Sequence, residues 1–98
     1  MAVTVASRWK GGSRDAVVVF GKQLKPLVEK LGGEYRVGQI HTGPNVGQWI
    51  ATLRFPDWET YGKASHASAH DPALQKVLAE VMAVAELLDR TIILGVDL

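Results

Sequence analysis

The sequence predicts one α+β domain over residues 1–98, with the element order βαββαβ and a four-stranded antiparallel sheet. Three observations predict this class. In three segments, every second residue belongs to the same face, which is the period of a strand. An apolar run near the end contains isoleucine, which is common in strands. Two further segments repeat apolar residues at helical spacing. Glycine, proline and aspartate separate these segments, where turns and helix caps are expected.

The first strand and the first helix follow from these patterns. Residues 2–9 alternate and contain β-branched side chains, so a strand is predicted there. Apolar residues at helical spacing predict a helix over residues 14–31, with Ser13 as its N-cap. Pro26 lies inside this helix and is expected to bend it, or to divide it near Lys22, because proline removes a backbone hydrogen bond.

The middle of the chain predicts a hairpin. In residues 35–41 and 48–55, successive side chains alternate between two faces, and the second segment has the clearest period of two in the chain. Between them, Thr42–Gly47 contains glycine, proline and asparagine, which favour turns. The short connection makes the two strands antiparallel neighbours.

Two helices and a strand are predicted in the last part of the chain. Asp57 caps a short helix over Trp58–Ala69, and Asp71-Pro72 starts the next helix. Residues 91–96 are apolar on both faces and form the last strand. The complete order is that of the ferredoxin-like split βαβ fold, with the helices covering one face of the sheet.

The uncovered face of this sheet is expected to be small-chained and apolar. Such a face favours a second copy packed sheet against sheet with twofold symmetry, although a monomer with a mildly apolar surface is the alternative. Arg36 and Arg54 fall on the same face, where they would border the interface or clamp a substrate carboxylate. The expected residues are Ala2, Thr4, Ala6, Ile40, Ile50, Thr52 and Ile93.

Composition excludes several classes of function. Eleven basic and ten acidic residues give a net charge of +1, and the basic residues are scattered, so no nucleic-acid partner is expected. The chain has no cysteine, which excludes disulfides and thiolate chemistry. No apolar stretch approaches the 18 residues of a membrane helix, and no signal peptide pattern is present. We therefore expect no membrane partner and a cytoplasmic location.

Aromatic and polar side chains are expected on the covered face of the sheet. Apolar walls with a few polar groups describe a small-molecule pocket, although the same side chains could form a plain core. We expect His41 and Tyr61 as candidate catalytic residues. The candidate ligand-binding residues are Trp9, Gln39, Trp49 and Trp58.

The histidines admit two interpretations each. His41, expected on a strand, would titrate near neutrality as a general base, or it is a hydrogen-bonded histidine at a strand end. His66 and His70 stand four apart, a spacing that could present two imidazoles to a metal. The same helix face carries Glu59 and Lys63, an ion pair typical of a solvated surface, so no metal site is predicted.

Two stretches carry a resemblance to known families. Gly47–Ala64, a strand followed by the helix start Asp57-Trp58-Glu59-Thr60-Tyr61, is similar to NIPSNAP-like and antibiotic-biosynthesis-monooxygenase-like domains of the dimeric α+β barrel superfamily. His70–Leu74 resembles the break before the second long helix of those families. The resemblance implies a homodimer whose two sheets form a barrel, with a cleft between helices and sheet in each subunit.

The families that the chain resembles include cofactor-independent monooxygenases, isomerases and haem enzymes, and fold alone does not choose among them. No catalytic motif can be carried over, and no histidine matches a haem-ligand position, so no cofactor is predicted. Two functions stay open. The first is a homodimeric domain that holds a small apolar ligand. The second is a cofactor-independent monooxygenase or isomerase acting on a small aromatic or apolar compound, with His41 as base and Tyr61 and Trp49 positioning the substrate.

Overall fold

Four strands form one antiparallel sheet in the computed structural model, which describes residues 1–98. Their order across the sheet is β2-β3-β1-β4, and three helices cover one face. This arrangement confirms the ferredoxin-like α+β prediction. The strands are β1 (Val3–Lys10), β2 (Glu34–Gln39), β3 (Trp49–Phe55) and β4 (Glu86–Leu94). The helices are α1 (Arg14–Lys30), α2 (Trp58–Ala69) and α3 (Pro72–Val84).

The strand register divides the side chains between two faces. β1 is central and pairs with β3 on one side and β4 on the other. Because side chains alternate along a strand, residues in register point to the same face. We call the face under the helices the covered face and the other the open face. Val3, Val5 and Phe55 lie on the covered face and are buried.

Each helix begins at a capping side chain that the sequence predicts. The hydroxyl of Ser13 accepts a hydrogen bond from the backbone N–H of Ala16 at 3.1 Å. Asp57 accepts one from the N–H of Thr60 at 2.7 Å, and hydrogen bonds from Thr60 hold the pKa of the Asp57 carboxyl below its usual value. Asp71 caps α3 in the same way. These bonds satisfy N–H groups that have no partner inside the helix.

The structure excludes a division of the first helix, one of the two alternatives expected for Pro26, and the expected strand position of His41 is wrong. α1 runs unbroken from Arg14 to Lys30, with Pro26 inside it, so the division expected near Lys22 does not occur. β2 ends at Gln39, which places His41 in the loop to β3, where it is exposed rather than on a strand. Backbone hydrogen bonds between Ile40 and the end of that loop close the hairpin before His41 is reached.

The last strand starts earlier than the predicted residue 91. α3 ends at Val84, and Ala85 is already extended, so the chain enters β4 at Glu86. The register between β1 and β4 shifts beside Trp9, which is a β-bulge. A bulge interrupts the alternation of side chains, and for this reason the first part of β4 shows no period of two in the sequence.

The buried core of the single chain is small. Only nine of the 98 residues are buried, and all nine are hydrophobic. Leu24, Leu74 and Val77 form its helical part. Large apolar side chains stay exposed on both faces of β4, among them Ile92 and Ile93. The chain therefore leaves much apolar surface that it does not cover by itself. None of the helices is long and apolar enough to span a bilayer.

We predict that Gly33→Ala lowers the free energy of unfolding by about 1–3 kcal/mol, the usual range for overpacking a core. A Cβ at this position would lie 2.7 Å from Cε1 of Phe55 and 2.9 Å from Cγ1 of Val28. Both side chains are buried and cannot move freely. Urea denaturation followed by far-UV circular dichroism measures the change.

Gly62→Ala is the matched control for this substitution. Gly62 lies in α2, and a Cβ there meets nothing within 4 Å. Alanine in a helix is more stable than glycine by about 0.5–1 kcal/mol, so this variant should gain stability. If the two variants changed stability equally, the contact between Gly33 and Phe55 would not be the cause.

Candidate functional site

A cavity of about 370 Å³ lies between the helices and the covered face of the sheet. Of the 29 residues that line it, 23 are hydrophobic. Small-molecule pockets range from about 300 to 1,000 Å³ and are mostly apolar with a few polar groups. In volume and lining, the cavity therefore matches a site for a small apolar molecule.

The floor of the cavity lies where the two central strands have their smallest covered-face side chains. Val37, Ala51, Ser7 and Arg90 lie side by side across the four strands. The two central strands contribute only Ala51 and Ser7 to this row. The rows before and after it carry larger residues, such as the Trp9–Trp49 pair. The floor is therefore lowest at Ala51 and Ser7, and Phe20 of α1 also lines the space.

Trp9 and Trp49 form one wall of the cavity. They are register partners on β1 and β3, and both line the space. The indole Nε1 of Trp9 donates a hydrogen bond to the Ser7 hydroxyl at 2.8 Å. That hydroxyl donates in turn to the backbone carbonyl of Ala51 at 3.3 Å. The hydrogen bonds fix the Trp9 ring and use the only proton of the Ser7 hydroxyl.

Two tyrosines contribute hydroxyl groups. Tyr61 of α2 packs edge to face against Phe55, with ring centroids 5.8 Å apart. Tyr35 of β2 lies beneath α1, and burial raises the pKa of its phenol above the usual value. The Tyr35 hydroxyl is therefore neutral at physiological pH, so it can donate a hydrogen bond but is a poor base.

The structure brings three of the six predicted site residues to the cavity. Trp9, Trp49 and Tyr61 line it. The other three lie outside it. Gln39 donates from Nε2 to the carbonyl of Gly47 at 3.2 Å and so braces the hairpin loop. Trp58 is half exposed and packs against the outside of Tyr61, and His41 is exposed in the loop.

Tyr35 and Arg90 are two polar lining residues that are not among the predicted site residues. Tyr35 alternates in phase with Val37 and Gln39, so the sequence carried a signal for its position. Arg90 is the only charged residue that lines the cavity. It follows the bulge in the part of β4 where no strand was predicted, so the sequence pattern did not place it on the covered face.

The exposed pair of histidines on α2 does not form a cluster with further ligands. The rings of His66 and His70 are 5.0 Å apart between centroids. No group of three or more histidine, aspartate or glutamate side chains is arranged to hold a metal ion. The neighbouring Glu59 and Lys63 form an exposed ion pair at 3.2 Å, as expected for a solvated helix face.

Solved structures with the same architecture were found by comparison. SnoaB, a cofactor-independent oxygenase from Streptomyces nogalater, is 10% identical and superposes with a TM-score of 0.71, covering 99% of this chain and 95% of that chain. An antibiotic biosynthesis monooxygenase-like protein from Chloroflexus aurantiacus is 16% identical, with a TM-score of 0.68 and coverage of 99% and 95%. This chain has the ferredoxin-like α+β fold of these proteins.

A NIPSNAP family protein from Agrobacterium tumefaciens shares that fold, with 16% identity, a TM-score of 0.66 and coverage of 97% of this chain and 87% of that chain. Identities this low establish the fold and not the reaction. No protein-family model and no curated protein matches the chain. The function must therefore be argued from the cavity itself.

Proposed function

We propose that this chain holds a small apolar ligand in the cavity between its helices and the covered face, and that it does so as a homodimer. The observation that carries the proposal is the apolar cavity of about 370 Å³ above Ala51 and Ser7. Protein interiors are normally packed as densely as organic crystals, with few voids larger than a water molecule. A space of this size under a helical layer is unusual for a plain core.

The packing of the cavity lining also favours a bound ligand. Apolar side chains around this space lack packing partners on one side, and each missing contact lowers the stability of the folded chain. A leucine in place of Ala51 would fill much of the floor. The chain instead has its smallest side chains there, and an apolar ligand would recover the lost contacts.

The open face supports association with a second copy. The two central strands carry Ala6, Thr52 and Ile50 on this face, and Ile93 lies on the edge strand β4. Ile50 is 36% and Ile93 50% exposed. Its border is ionic: Arg8 pairs with Asp89 and Arg36 with Glu34. An apolar centre with a polar rim is the usual anatomy of a protein interface.

Cofactor-independent oxygenation is the second candidate, favoured by the fold shared with SnoaB. Oxidation of a methylene to a carbonyl by O₂ releases one water and balances without a cofactor, but it needs a base to remove the first proton. Neither a carboxylate nor a histidine lines the cavity. The geometry of this chain therefore supports binding better. Oxygen uptake in the presence of a bound aromatic compound would favour the oxygenase instead.

We predict that Ala51→Leu weakens binding of the neutral dye N-phenyl-1-naphthylamine at least about tenfold. The added side chain occupies the floor, and overpacking costs about 1–3 kcal/mol, where 1.4 kcal/mol is a factor of ten. The wild-type chain should bind the dye saturably, with one dye per chain, as measured by the rise in dye fluorescence.

Ala79→Leu adds the same bulk on an exposed position of α3 and should bind the dye as the wild type does. Circular dichroism establishes that both variants are folded. Saturable binding that Ala51→Leu leaves unchanged would place the dye elsewhere. Absence of saturable binding to the wild type would contradict the proposed function.

We predict that Ala6→Glu converts the dimer to a monomer. Ala6 lies at the centre of the open face, between Thr52 and Thr91, so a carboxylate there would be buried without a partner at the contact. Sedimentation velocity at micromolar concentration measures the mass. Ala67→Glu, which adds the same charge on an exposed position of α2, should stay dimeric. A wild-type monomer, or a dimeric Ala6→Glu, would exclude this interface.

A further inference from the structure

We propose that the ligand is an amphipathic monoanion whose apolar body lies in the cavity and whose carboxylate binds the guanidinium of Arg90. This inference rests on the proposed ligand-holding function and specifies the chemical class of the ligand. Three independent features of the structure support it: the charge of the cavity lining, the position of Arg90 in the row of small residues, and the hydrogen-bond donors without a partner in the chain.

Arg90 is the single charged side chain of an otherwise apolar or neutral lining. The four ion pairs of the chain join other residues, and Arg90 takes part in none of them. Its neighbour Asp89 points to the open face, where its Oδ2 accepts a hydrogen bond from Nε of Arg8 at 3.0 Å. Glu86, the other acid of β4, lies opposite Lys10. No acidic side chain of this chain neutralises Arg90, so its guanidinium can bind an anionic ligand.

The position of Arg90 sets the orientation of the ligand. Arg90 stands at the β4 end of the row that continues through Ser7 and Ala51 to Val37. It is exposed, whereas Ser7 and Ala51 are not. Neighbouring strands lie about 4.8 Å apart, so the row spans roughly 14 Å. A ligand along this row places its polar end at the solvent-facing edge and its apolar end beneath α1.

Several side chains around the cavity carry hydrogen-bond donors without a partner in the chain. The hydroxyl proton of Ser7 is already donated to Ala51. Trp49, Tyr35 and Tyr61 also line the space, and their side-chain N–H and hydroxyl groups take part in no hydrogen bond within the chain. Arginine and tryptophan side chains only donate. Such a site favours a ligand that accepts hydrogen bonds.

A carboxylate fits this arrangement better than a phosphate monoester. One guanidinium binds a carboxylate through two parallel hydrogen bonds and balances its single charge. A phosphate monoester carries nearly two negative charges at neutral pH, and no second cation lines the cavity. The site is therefore matched to a monoanion with an apolar tail or ring.

Isothermal titration calorimetry with 4-butylbenzoate and 4-butylbenzyl alcohol at pH 7.5 tests the inference. The two probes have the same body, and only the first is charged. We expect the wild type to bind the carboxylate about tenfold more tightly, the low end for a hydrogen bond to a charged group at a partly exposed site. The preference should shrink as salt rises from 50 to 500 mM, because the Debye length then falls about threefold and the charge interaction is screened.

Arg90→Met should abolish the preference, because it lowers the affinity for the carboxylate and leaves the affinity for the alcohol unchanged. Lys22→Met removes one positive charge from an exposed position of α1 that does not line the cavity, and should keep the preference. Equal binding of both probes to the wild type would overturn the inference and leave the ligand-holding function standing. Retention of the preference in Arg90→Met would also overturn it. Binding of neither probe would refute the proposed function and the inference together.

Discussion

The pairing register between β1 and β3 decides which side chains face the helices, and the cavity depends on it. With Ser7 opposite Ala51, the two central strands present their smallest covered-face residues at the same level. A shift of one residue would exchange the two faces along the whole strand. Larger covered-face pairs hold the register at its two ends, Val3 with Phe55 and Trp9 with Trp49. The small residues Ser7 and Ala51 therefore lie between larger ones.

The same arrangement makes the single chain a modest folding unit. Space above the central strands means fewer apolar contacts, and only nine residues are buried. A domain of this size has little excess stability in any case. Occupation of the covered face by a ligand and of the open face by a second copy would each stabilise the folded state by mass action. Ligand binding and association are therefore expected to support the fold as well as to serve the function.

The sequence predicts the sheet where alternation is regular and fails where it is broken. The element order, the helix caps and the covered faces of β1 and β3 follow from period and capping alone. The pattern around Leu87 and Leu88 does not predict the start of β4, because a bulge there removes the period of two. Arg90 was missed for the same reason. In the sequence, His41 continues the alternation of β2. Hydrogen bonds of the loop nevertheless end that strand at Gln39, and only tertiary geometry shows this.

The central claim is that the space above the central strands is a true apolar cavity of the folded chain. A crystal structure determined under xenon pressure tests it most directly, because xenon enters apolar cavities without needing polar contacts. We expect a xenon atom in contact with Ala51 and Phe20, beside the wall formed by Trp9 and Trp49. A structure in which those aromatic side chains fill the space, with no xenon beneath the helices, would contradict it.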